Sequence, residues 1–300
     1  MRYKTPAALE MAVKAAAKAS PLDTGLAISA FYYHRLLCRV FSAEGQRFVL
    51  KGGLSVLART VDARATRDID LLAREMDLDA AVEELKRLAS IDLRDFVVFR
   101  FDKAEPIKAG DEYRSGTKVW FVPELGGRPL TPISIDLVVD EVDGLAPQAL
   151  APADRLDIEG LPVCDYWVYR VESALADKLL AMLEDHDGRP SSRVKDLVDV
   201  VVYARTCEVD GETLAEQVAK EAAVRKVSLP ATFSIPDMWF ESYEAIYEKM
   251  ARQARADGIA PDLASAQQIA RTLYAPALGS ASDSAKWSPG DLRWLGKPGL

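Results

Sequence analysis

The apolar periodicity of this 300-residue chain shifts for good past about residue 145, and that shift fixes its class. Between about 96 and 140, FVVFRF, YRSGTKVWFV and ISIDLVVD alternate with the period of two that a half-buried strand requires. Loops containing Gly, Pro and Asp separate them at 108–112 and 124–132. A Pro-containing connector follows at 145–165 (Pro147, Pro152, Pro162). Beyond it the period is helical, at about 171–185, 193–206, 212–224, 237–256 and 262–275. Ahead of the strands, 6–20 and 26–43 read as helices, RFVLKGG as a short strand stopping on two glycines, and LSVLART as a short helix. DIDLLA then reads as a strand and 77–89 as a helix with acidic residues in its first turn. Strands in the first half and helices in the second give an α+β fold. Its parts are a helical N-terminal cover with an αβ core over 1–145, a helical C-terminal domain over 146–280, and a Pro/Gly/Ser-rich tail over 281–300. The tail is expected to be loosely ordered and to dock through Trp287 and Trp294.

Apolar residues make up 49% and charged residues 28%, which excludes disorder and fibrous repeats. Lys plus Arg is 38 and Asp plus Glu is 46, a net charge of −8, so no chain-wide basic footprint for nucleic acid exists and no DNA is expected as a partner. A local cleft for RNA would draw on Arg35, Arg39, Lys118, Arg189, Arg193 or Lys195. No stretch approaches the ~18 apolar residues of a membrane helix. Lys4, Lys14 and Lys18 break any signal-peptide core, so the expectation is a cytoplasmic protein without a membrane. Cys38, Cys164 and Cys207 are odd in number and far apart, an argument against a disulfide framework or a zinc site. Two histidines, His34 and His186, exclude a His-rich metal site.

The chemistry concentrates in carboxylates. In TRDIDL (66–71), side chains two apart on a strand share a face, so Asp68 and Asp70 point together while Ile69 and Leu71 face the core. Like charges that close require a cation or a proton. In ISIDLVV (133–139), Ile133, Ile135, Leu137 and Val139 alternate onto one face, leaving Asp136 on the other with Ser134 and Val138. Gly52 and Gly53, after Lys51, stand between a strand and a helix, where backbone N–H groups can approach a phosphate. Three carboxylates of this kind can hold two divalent cations that bridge a nucleoside triphosphate, with carboxylate and water ligands favouring Mg²⁺ or Mn²⁺ over zinc.

LysGlyGlyLeuSerValLeu at 51–57 with ArgAlaThrArgAspIleAspLeu at 64–71 resembles the signature of the AbiEii/AbiGii-type nucleotidyltransferase toxins. These are the toxin half of bacterial type IV toxin–antitoxin (abortive-infection) pairs, to which the mycobacterial MenT-type toxins also belong. The resemblance covers roughly 25–280 and implies a DNA-polymerase-β-like nucleotidyltransferase core followed by a helical half. It further implies transfer of an NMP from an NTP to an acceptor hydroxyl, a tRNA 3′ end, stopping translation and growth, with a cognate antitoxin as partner. On this reading Asp68, Asp70 and Asp136 ligate the metals, Asp136 takes the attacking hydroxyl's proton, and Gly52 and Gly53 cradle the triphosphate with help from Lys51. The family's helix lysine falls on Lys178, which contacts the triphosphate. Its downstream aspartate falls on Asp199, which orients the lysine or the nucleotide, with Asp196 as a companion. Where the family often carries a small hydroxyl residue after the glycines, this chain has Leu54, so Ser55 or backbone N–H groups would serve instead. Arg64 and Arg67 would balance charge. Thr66 resembles a position that a partner antitoxin phosphorylates in some members. The alternatives are nucleotidyl transfer to a small molecule or protein, a phosphotransferase on the same layout, and a catalytically silent nucleotide-binding interaction protein.

Overall fold

The computed structural model describes residues 3–42, 47–64, 66, 68–107, 114–140, 145–186, 188–279 and 285–296. The chain forms two units, Met1–Val61 with Thr66–Glu141 and Pro147–Val168, and Asp62–Ala65 with Val142–Ala146 and Tyr169–Leu300. Of the connector expected at 145–165, all but its first two residues lies with the sheet.

The first unit runs α1 (Pro6–Ala19), α2 (Thr24–Phe41), β1 (Phe48–Lys51), α3 (Gly52–Arg59), β2 (Ile69–Ala73), α4 (Leu78–Ala89), β3 (Val97–Pro106) and β4 (Arg114–Leu125). It continues with β5 (Arg128–Pro129), β6 (Ile133–Asp140), β7 (Gln148–Leu150) and β8 (Tyr166–Val168). Helix starts follow capping chemistry. Thr5 Oγ1 accepts from Ala8 N at 3.2 Å ahead of Pro6, and Asp23 and Asp77 cap α2 and α4 in the same way. The strands make one mixed sheet in the order β3-β4-β6-β2-β1-β8-β7, with β5 on β4. At its centre β2 and β6 are parallel, flanked by antiparallel β1 and β4. Ile69, Leu71, Ile135, Leu137, Val119 and Phe121 are buried on one face, as alternation predicts. The expected loop at 108–112 lies outside the described residues.

The second unit runs α5 (Val171–Leu183), β9 (Asp185–His186), β10 (Arg189–Pro190), α6 (Val194–Thr206), β11 (Val209–Asp210) and α7 (Gly211–Arg225). It closes with α8 (Met238–Ser242), α9 (Glu244–Gln253), α10 (Leu263–Tyr274), β12 (Lys286–Ser288) and β13 (Arg293–Leu295). The helix expected over 237–256 is two helices, because Tyr243 between them has ψ near 0°. From the tail, β12 pairs with both β11 and β13, and Trp287 is buried with its indole N–H donating to Ala204 O at 2.6 Å. Trp294 donates to Thr272 O at 2.8 Å. Positions 281–284 and 297–300 of the tail lie outside the described residues.

Candidate active site

Strand register assembles the carboxylates. Lys51 on β1 pairs with Asp70 on β2, Asp70 with Asp136 on β6, and Asp136 with Lys118 on β4. Registered partners share a face, so four adjacent strands carry a row of alternating character: ammonium, carboxylate, carboxylate, ammonium. The parallel pairing of β2 and β6 brings the two central carboxylates side by side opposite the buried apolar face. Asp68 lies just ahead of β2, and its Oδ1 accepts from Ser134 Oγ at 3.2 Å.

Lys118 Nζ lies 2.8 Å from Asp136 Oδ1 and 3.8 Å from Asp68 Oδ1. Its bond to Asp136 raises its pKa above the ordinary lysine value, against a smaller effect of burial. Among the described residues, Asp136 Oδ1 is buried with no hydrogen-bond partner beyond this ion pair. A carboxylate oxygen in that position suits a cation. Gly52 adds the second observation. Its φ is +62°, and a Cβ built there would overlap Asp70 Oδ2 and sit 2.6 Å from Asp70 Cγ. The first turn of α3 therefore passes directly against the carboxylates, with no side chain between its N–H groups and an anion. An all-oxygen donor set beside a bare helix N-terminus fits a hard divalent cation that carries phosphates.

In the second unit, Lys178 on α5 is buried and donates to Asp196 Oδ1 at 2.9 Å and Asp199 Oδ2 at 2.7 Å, both on α6. Arg64 Nη2 donates to Asp199 Oδ2 at 2.9 Å, and Arg193 Nε to Asp196 Oδ2 at 2.5 Å. Burial works against the lysine's charge, but the carboxylates hold it protonated well above the ordinary range. Burial likewise works against Asp196, and Lys178 and Arg193 outweigh it to bring that carboxyl below its usual value.

Several expected residues stand elsewhere. Ser55 is fully buried and donates to Gly52 O at 2.8 Å, and Leu54 is in the core, which leaves backbone N–H groups as the donors the Gly52–Gly53 turn would offer an anion. Arg35 and Arg39 are not surface groups for RNA. Each is 1% exposed and bound to the buried Asp95, at 2.6 and 2.8 Å respectively. Lys118 belongs to the carboxylate cluster rather than to an outer basic cleft. Arg193 and Lys195 are exposed, whereas Arg67 and the Arg189 side chain lie outside what is described. Thr66 is half-buried.

Trp120 joins this face without any expectation from the sequence. Trp120 pairs with Ser134, so it shares the face of Asp136 and Asp68, and Lys103 Nζ sits 4.5 Å from its ring centroid. The alternation of Val119, Trp120 and Phe121 carries that signal, and only the register shows what Trp120 stands beside.

Carboxylates on adjacent parallel strands, next to a strand–Gly-Gly–helix turn, make an arrangement suited to the class of enzymes that handle a metal-bound nucleoside triphosphate. A sequence profile of the family described as "Nucleotidyl transferase AbiEii toxin, Type IV TA system" matches residues 35–272. The chain belongs to this family and is a nucleotidyltransferase of the toxin–antitoxin type. Enzymes of this kind use an NTP and a divalent metal, and the family implies an antitoxin partner. Among solved structures, the chain is similar to MenT4, a nucleotidyltransferase toxin from Mycobacterium tuberculosis H37Rv. Identity is 17%, coverage is 93% of this chain and 91% of that one, and the TM-score is 0.53. JHP933 from Helicobacter pylori is 16% identical over 82% and 93% of the two chains, with a TM-score of 0.40. The MenT4 likeness supports the nucleotidyltransferase-toxin fold. No curated protein gives a significant match. Among the described residues, no helix is long and apolar enough to cross a membrane.

Proposed function

We propose that this enzyme transfers an NMP from an NTP to the 3′ hydroxyl of a tRNA, using Mg²⁺ or Mn²⁺ held by Asp68, Asp70 and Asp136, and so stops translation and growth in the cytoplasm, an abortive-infection activity. The observation that carries the reading is the registered Asp70–Asp136 pair facing Gly52, with Asp68 within reach of the same lysine. A divalent cation there supplies Lewis acidity at the α-phosphate and charge compensation for the leaving pyrophosphate. The chain's own groups do the rest. Backbone N–H groups at Gly52 and Gly53 receive the triphosphate oxygens, and Lys51 adds positive charge on the same row. Asp136 accepts the proton of the acceptor hydroxyl as its oxygen bonds to the α-phosphorus and the α–β bridging P–O bond breaks, releasing pyrophosphate. Lys118, ion-paired with Asp136 at 2.8 Å, holds that carboxylate in place on the sheet. The half-buried Trp120 ring and the Lys103 ammonium beside it suit the acceptor's terminal base and backbone, because base–aromatic stacking tolerates sequence.

Lys178 and Asp199 enter the proposal as a pair, with Asp199 holding the lysine at 2.7 Å and Asp196 sharing it. Lys178→Met with normal folding and full transfer would remove them from the reaction. Phosphorylation of Thr66 by an antitoxin would add roughly −1.5 to −2 charge two residues before Asp68, repelling the triphosphate. Full activity of Thr66→Glu would argue against that control.

The deciding experiment incubates the purified protein with total tRNA, Mg²⁺ and each NTP in turn, radiolabelled on the α-phosphate, followed by a denaturing gel. Label on tRNA from one preferred NTP, lost in Asp70→Asn, is the expected result. Pyrophosphate release without labelled tRNA would overturn the acceptor. Neither label nor pyrophosphate with any NTP would overturn the reading as a whole.

A further inference from the structure

His34, Cys38 and Cys164 take no part in the reaction proposed above. Cysteine spacing along the chain argued against a thiol site, yet the fold brings two of the three cysteines onto one histidine. His34 and Cys38 are four apart on α2, so one helix face presents both. Cys164 comes from the segment that leads into β8. The ligating atoms of the three residues all lie within 4.8 Å of one another, and Cys38 Sγ is 3.4 Å from His34 Nε2.

That spacing matches a coordination shell. With Zn–S near 2.3 Å and Zn–N near 2.0–2.1 Å, tetrahedral angles place sulfur and nitrogen about 3.6 Å apart and two sulfurs about 3.8 Å apart. The imidazole is also oriented for the task. Its Nδ1 is 2.9 Å from the Tyr166 hydroxyl, which turns Nε2 toward the sulfurs, as outer-shell partners do for metal-bound histidines. His34, Cys38 and Tyr166 are buried while Cys164 is half-buried, so the ligands are largely shielded from water but approachable from one side. The Arg35 guanidinium lies 3.9 Å from Cys38 Sγ and is itself bound to Asp95 at 2.6 Å, which neutralises its charge.

We propose that His34, Cys38 and Cys164 form a zinc site, separate from the carboxylate site, that clasps α2 to the segment entering β8. Binding forms two Zn–S bonds and one Zn–N bond, and the two thiol protons leave to solvent. Three protein ligands of this softness favour zinc over the hard cation of the carboxylates.

The test strips the full-length reduced protein with a chelator and titrates it with Co²⁺ and then Zn²⁺. The expected result is a thiolate-to-cobalt charge-transfer band with the intense visible bands of four-coordinate cobalt, bleached by stoichiometric Zn²⁺, and a higher thermal midpoint with zinc. Cys38→Ser and Cys164→Ser should each lose the charge-transfer intensity, while Cys207→Ser keeps it. Tyr166→Phe should retain the band and bind zinc about 10- to 100-fold more weakly. The wild-type titration depends on no variant's folding. Absence of the band in wild-type protein, or its survival in both serine variants, overturns the site, as does a reduced protein that takes up no zinc but closes a Cys38–Cys164 disulfide on oxidation. None of these readouts involves nucleotides, so the result is independent of the transfer reaction.

Discussion

Asp70 is the residue on which the candidate site turns, because it faces Gly52 on one side and is registered with Asp136 on the other. Removing its charge should abolish transfer while easing repulsion. Asp70→Asn and Asp68→Asn are expected to lower transfer by at least about 10²–10³-fold, with the thermal midpoint unchanged or raised, as measured by labelled-tRNA assay and thermal melting. Gly52→Ala should cost about 1–3 kcal/mol in denaturant unfolding from its positive φ, and lose transfer as well because its Cβ displaces the Asp70 carboxylate. Alternation placed Asp70 and Asp136 opposite the apolar face of their strands, since a carboxylate within an apolar period-two run has only one face left to it, whereas Asp68 lies just ahead of β2. The partnership of Lys118 with Asp136 was not, because register across strands is set by pairing and leaves no mark within either strand. The thiol cluster was hidden for the same reason: His34 and Cys38 mark a helix face, but Cys164 is distant in the chain.

At the scale of single elements, α2 is tied down by a buried charge cluster. Arg35 and Arg39 bind Asp95, and Arg39 Nη2 also donates to Val97 O at 2.6 Å. Burial pushes the Asp95 carboxyl up, and the two guanidinia outweigh it and bring it below the ordinary 3.8. A depressed folded-state pKa means that the stabilisation is complete above the usual carboxylate range and is lost as pH falls through the lower value. Acid melting should therefore show the first unit weakening below about pH 4, a slope that Asp95→Asn removes. Asp95→Ala, leaving two buried guanidinia without their anion, is expected to cost about 3–5 kcal/mol in denaturant unfolding. Basic residues on a helix read as surface because arginine usually is. Only the buried carboxylate at the other end shows otherwise, and Asp95 gave no periodic signal. On β4, Trp120→Ala should weaken the RNA acceptor by about 1–3 kcal/mol, read as a rise in KM for tRNA with nucleotide-induced thermal stabilisation unchanged.

For the molecule as a whole, the change of period near residue 145 predicts a sheet-rich part over 1–145 and a helical part over 146–280, and the chain divides into two units, the first of which also takes in Pro147–Val168. At the end of the chain, Pro, Gly and Ser suggested a loose arm docking through two tryptophans; within the described residues 285–296 those tryptophans sit on a paired hairpin. Trp287 and Trp294 pack edge to face at 5.4 Å, each with its indole N–H on a helix carbonyl. Trp287→Ala is expected to destabilise the second unit by about 3–5 kcal/mol, measured by its thermal transition. The bare α-carbon of Gly52 has a consequence for heredity as well. Every missense change at the first or second base of a glycine codon installs a Cβ, and here any Cβ meets Asp70. In a population forced to grow while expressing this toxin without its antitoxin, survivors should accumulate lesions in that one codon beyond its share of the gene's length.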